Sequence, residues 1–99
     1  MNVDKKTTVL VVDDNEMARY ARIRILKKSG FETTEAINGA DTIEKISAVV
    51  PDLILLDVRL PDISGFEVVR KIKQDERFTF TPVILISSIY DDVSDKVEE

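Results

Sequence analysis

Two short apolar runs that each end on acid constrain this chain more than any other feature. Residues 8–12 (TVLVV) lead straight into Asp13 and Asp14, and residues 53–56 (LILL) lead into Asp57. Aliphatic runs of this length without polar alternation read as strands covered on both faces, as in the interior of a parallel sheet. A buried strand seldom ends on a charge unless something meets that charge.

The segments around these runs fit the same architecture. Apolar positions Met17, Ala18, Ala21, Ile25 and Leu26 make a helical stripe over residues 17–28, with Gly30 placed to end it. Residues 31–36 (FETTEA) alternate, as a strand near a sheet edge does, and Asn38-Gly39 reads as a turn. A second helix over 40–49 turns Ile43, Ile46 and Ala48 inward and stops before Pro51. A third, over 66–73, does so with Phe66, Val69 and Ile72. Pro82 opens a fourth strand over 83–86 (VILI), followed by Ser87 and Ser88, and residues 91–99 begin a fourth helical pattern with Val93 and Val97 four apart. Strands alternating with helices predict βαβ units, and right-handed crossovers make them a doubly wound α/β sandwich on a parallel sheet, in one domain.

Charge and missing residue types narrow the chemistry. With 14 basic against 19 acidic residues the net charge is −5, which argues against nucleic acid as a direct partner. Basic side chains gather only at Arg19, Arg22, Arg24, Lys27 and Lys28, spread around one helix as on a solvated surface rather than a docking site. No apolar run is long enough for a membrane span or signal core, so a cytoplasmic location is expected. The chain has no cysteine and no histidine, which removes thiolate metal sites, histidine triads and the usual zinc sites.

In an open parallel sheet, ligands sit outside the carboxyl ends of the strands. There the first strand leaves Asp13 and Asp14, the third leaves Asp57, the fourth leaves Ser87 and Ser88, and the second leaves only Ala36 and Ile37. Three carboxylates in one pocket repel unless a proton or cation is shared, and an all-oxygen donor set suits Mg²⁺ best. Asp14 or Asn15 also fits a helix N-cap, and Ser87 an ordinary strand-end hydroxyl. A carboxylate such as Asp57 can act as a nucleophile toward phosphorus, giving a labile acyl phosphate.

These residues resemble a known family, the receiver domains of bacterial two-component response regulators. The likeness runs through VLVVDDNEMAR, then A-x-N-G at residues 36–39, PDLILLDVRLPDISGFEV at 51–68 and PVILISS at 82–88. It implies a flavodoxin-like three-layer α/β/α sandwich with strand order 2-1-3-4. Asp57 would be the phosphoryl acceptor, Asp13 and Asp14 with Asp57 the Mg²⁺ ligands, and the backbone carbonyl of Arg59 a further ligand. Ser87 would be the switch hydroxyl, Ser88 the small residue beside it, and Pro61 and Gly65 part of the loop after the acceptor. The donor would be a phosphohistidine on a sensor histidine kinase or a histidine phosphotransfer protein, with an effector domain or output protein downstream.

Two departures accompany the resemblance. Arg59 is a long cation where a neutral side chain is the usual choice, either tuning the lifetime of the acyl phosphate or simply facing solvent. Complete receivers also continue to a fifth strand, bearing a lysine, and a fifth helix; the sequence given ends at Glu99, in the fourth helix, and Lys96 is a poor stand-in. The expectation is a receiver domain over 1–99 that is incomplete at its C-terminus, its fourth strand an apolar edge open to a strand-paired or swapped dimer.

Other functions are weighed against this phospho-acceptor module, which is not a turnover enzyme. A Mg²⁺-dependent phosphatase of the haloacid-dehalogenase type needs a second Asp two residues after the first, and Asn15 stands there instead. A pseudo-receiver used for docking or dimerisation usually loses its acids, and here all three are present. A flavodoxin relative wants Ser, Thr or Gly in the first loop to cradle phosphate.

Overall fold

Alternating β-branched runs and capped helices produce a regular βα repeat. The computed structural model describes residues 6–87, so Ser88, the helical stretch 91–99 and Lys96 lie outside the described residues. The elements are β1 Thr8–Val12, α1 Glu16–Lys28, β2 Glu32–Ala36, α2 Gly39–Val49, β3 Leu53–Asp57, α3 Gly65–Lys73, a 3₁₀ turn Glu76–Phe78, and β4 Val83–Ile86. All strand pairs are parallel, in the expected order β2-β1-β3-β4, which leaves β2 and β4 as the edges among the described residues.

That order reverses direction between β2 and β3, and with right-handed crossovers it puts α1 on one face and α2 and α3 on the other. The core confirms it. Leu10, Val12, Ala36, Ile54 and Leu56, which share one sheet face by the period of two, pack with Ile46, Val68, Ile72 and Phe78. Val9 and Val11, also fully buried, point to the α1 side.

Each helix starts where a polar side chain caps it. Asn15, Asn38 and Ser64 accept hydrogen bonds from the N–H groups of Ala18, Asp41 and Glu67, the third residues of α1, α2 and α3. Asn38-Gly39 is therefore a cap and a first helical residue, not a free turn. Gly30, at φ 95°, follows the end of α1 as expected, and α2 stops at Val50 in the left-handed region just before Pro51.

The helix faces need correction. No residue of α1 is fully buried, and Met17 and Ile25 are 80% and 65% exposed. The half-buried stripe is Ala18, Arg19, Arg22, Ile23 and Leu26, an i, i+4 pattern that runs through two arginines. Their aliphatic stems cover the sheet while their charged heads find partners at its rim. Phe66 is exposed and Val68 takes the buried position on α3; on α2, Ala48 is exposed and Thr42 is buried.

Candidate functional site

Strand register decides which side chains meet. Val12 pairs with Leu56, so the residues one step on, Asp13 and Asp57, emerge side by side at the carboxyl end of the sheet. Asp57 pairs with Ile86, which brings Ser87 to the same rim. Asp13, Asp14, Asp57, Arg59, Pro61 and Ser87 all line one open cleft there, closed along one side by Ala18, Ala21 and Arg22 of α1.

The three carboxylates converge as the sequence predicts. One oxygen from each of Asp13, Asp14 and Asp57 lies within 4.8 Å of the others. Asp13 and Asp57 are buried, at 2% and 4% exposed, while Asp14 faces solvent. The all-oxygen donor set, without nitrogen or sulfur, fits a hard divalent cation such as Mg²⁺.

Local structure holds each acid in place. The carboxylate of Asp57 accepts the N–H of Arg59 at 2.9 Å, so the residue two places on orients that carboxylate through its backbone. Burial pushes the Asp57 carboxyl above its ordinary pKa; the Arg59 N–H opposes this, the Asp13 charge adds to it, Arg22 opposes it, and Asp14 adds again. Asp13 accepts the N–H of Asn15 at 2.9 Å and pairs with Arg22. Arg19 donates to the carbonyl oxygen of Asp13 at 2.8 Å and to Glu35 at 2.7 Å. The basic residues of α1 are thus not all solvated: two of the five serve the acidic rim. An Arg placed on the inward stripe of a helix beside an acidic strand end was the available signal, but patterning that counts only apolar residues inward misses it.

The loop after Asp57 is anchored by a residue the sequence did not single out. Asp62 accepts the N–H groups of Gly39 and Ala40 at 2.8 and 2.9 Å, capping α2 from 22–23 residues away in sequence. Gly65 is buried against the end of β3, its N–H donating to the carbonyl of Val58 at 2.7 Å. Of the other expected residues, Pro61 lines the cleft, while Ile37 is exposed at the far edge of the sheet as its strand end suggests.

Residues 9–99 match the family described as "Response regulator receiver domain". The chain is 40% identical over 92 residues to the hybrid signal transduction histidine kinase D of Dictyostelium discoideum, covering 92% of this chain and 6% of that protein. It is 35% identical to the polar-differentiation response regulator DivK of Brucella anthropi, covering 82% of this chain and 66% of the relative. The chain thus spans only part of each of these relatives. Among solved structures, the chemotaxis response regulator CheY4 of Vibrio cholerae superposes with a TM-score of 0.80 at 30% identity, over 82% of this chain and 68% of that one.

Proposed function

The chain belongs to the response regulator receiver domain family, and from that premise we propose that it accepts a phosphoryl group on Asp57 from a phosphohistidine of a partner protein. The observation that carries this reading is the meeting of the Asp13, Asp14 and Asp57 carboxylates within 4.8 Å at one rim of the sheet, with Ser87 lining the same cleft.

In the transfer, a carboxylate oxygen of Asp57 attacks phosphorus, the P–N bond to the donor imidazole breaks, and the imidazole leaves. The Arg59 N–H holds the carboxylate in one orientation for that attack. Asp13, Asp14, Asp57 and the backbone carbonyl of Arg59 would hold Mg²⁺, which supplies neutralisation of phosphoryl charge when bound. The Ser87 hydroxyl would donate to a phosphoryl oxygen and carry the modification into a shift between two conformations.

Receiver domains work with sensor histidine kinases, and the name of the Dictyostelium relative places such a sequence within a hybrid kinase. The partner proposed here is accordingly a sensor histidine kinase or histidine phosphotransfer protein, in the cytoplasm, with an output protein or effector domain downstream. No helix among the described residues is long and apolar enough to cross a membrane.

The test is incubation with acetyl phosphate, or with beryllofluoride as a mimic, with and without Mg²⁺. Mg²⁺-dependent modification that disappears in Asp57→Ala supports the acceptor. Sustained phosphate release with turnover would mark a phosphatase instead, and absence of any modification a docking module.

A further inference from the structure

The acidic pocket already contains a cation supplied by the chain. Arg22 reaches from the second turn of α1 and pairs with Oδ2 of Asp13, while Oδ1 of the same carboxylate accepts the Asn15 N–H. The backbone of Asp13 is occupied too, its carbonyl by Arg19 and its N–H by the carbonyl of Ala36. Asp13 is thus fully satisfied without a metal, and among the described residues no buried side-chain polar atom lacks a partner.

The pair is asymmetric. The Asp13 side chain is 3% exposed and that of Arg22 is 29% exposed. A carboxylate this buried needs a counter-charge, whereas the guanidinium can swing on its long stem into the open cleft it lines. Arg22 also sits close enough to Asp57 to oppose the rise in its pKa, so its charge acts on both buried acids.

We propose that Arg22 is a tethered competitor for the metal: it holds Asp13 in the metal-free protein, and Mg²⁺ enters only as the Arg22–Asp13 pair opens. This rests on the reading that the pocket takes Mg²⁺. Arg22 thereby sets the Mg²⁺ concentration at which the acceptor becomes competent. It also keeps the buried carboxylates compensated when no metal is bound, so the fold tolerates metal loss.

The test compares Mg²⁺ affinity and thermal unfolding of the full chain for wild type, Arg22→Met and Arg24→Met. Arg24 is an exposed cation on the same helix whose only hydrogen bond among the described residues goes to the Tyr20 hydroxyl, at 3.5 Å, so its variant changes net charge equally without touching the pocket. Calorimetric titration with Mg²⁺, and Mn²⁺ titration followed by electron paramagnetic resonance, read the affinity directly. Arg22→Met is expected to bind about tenfold tighter, the size of effect that releasing one charge-assisted hydrogen bond gives. Arg24→Met should stay within about twofold of wild type, as expected for a screened surface charge. In chelator, Arg22→Met should unfold at a lower temperature than wild type, and added Mg²⁺ should raise its unfolding temperature more than it raises that of wild type.

Should Arg22→Met fail to fold without metal, Arg22→Gln keeps a hydrogen-bond donor toward Asp13 without the charge and is read the same way. Equal or weaker Mg²⁺ binding in the Arg22 variants, or an equal gain in Arg24→Met, overturns the proposal while leaving the acceptor reading intact. If wild type shows no Mg²⁺ binding that Asp57→Asn weakens, the acceptor reading fails and this proposal falls with it.

Discussion

A methyl group on the α-carbon of Gly65 would lie 2.6 Å from the carbonyl oxygen of Asp57 and 2.8 Å from the α-carbon of Val58. The first residue of α3 is therefore pressed against the backbone at the end of β3, and the Gly65 N–H latches it there through the Val58 carbonyl. Neither neighbour is a side chain that could turn aside.

Gly65→Ala must consequently move β3 or α3. Overpacking of this kind costs about 1–3 kcal/mol. Denaturant unfolding should show that loss, and phosphorylation by acetyl phosphate should slow, because the strand end that shifts is the one that carries Asp57.

Asp62 ties the loop after Asp57 to the start of α2, and the N–H groups of Gly39 and Ala40 hold its carboxyl below the ordinary pKa. A depressed folded-state pKa gives stability that is present above the unfolded value of 3.8 and is lost as pH falls through the folded value. Asp62→Ala should unfold more easily than wild type at neutral pH, and the two curves should converge in acid. Melting temperatures measured from pH 7 downward check this; parallel curves would contradict it.

Asp57 has the opposite sign. Its raised pKa means the folded state favours the protonated form, so its stabilising contribution exists below the unfolded value of 3.8 and disappears as pH rises through the folded one. In chelator at neutral pH, Asp57→Asn should therefore melt above wild type, the gap closing toward pH 4. Added Mg²⁺ should raise the melting temperature of wild type more than that of the variant.

Two phenylalanines two residues apart should behave unlike each other. Phe78 is fully buried and Phe80 is 94% exposed. Phe78→Ala should cost about 3–5 kcal/mol by chemical denaturation, whereas Phe80→Ala should stay within about 0.5 kcal/mol of wild type.

The sequence by itself determined the sheet, its helices and its acidic rim. Aliphatic runs at 9–12 and 53–56 can satisfy their side chains only inside a parallel sheet, and a strand that ends on Asp13 or Asp57 places that acid at the carboxyl edge whatever the packing. Tertiary structure decided the inward stripe of α1 and which residue opens the buried face of α3. Apolar counting favours Met17, Ile25 and Phe66, yet the inward positions go to Arg19, Arg22 and Val68, because an arginine stem covers apolar surface as its head reaches an acid at a strand end, Glu35 for Arg19 and Asp13 for Arg22. The same holds for Phe78 over Phe80 and for Asp62 over α2. Each depends on partners brought together by strand order, and local sequence carries no record of such distances.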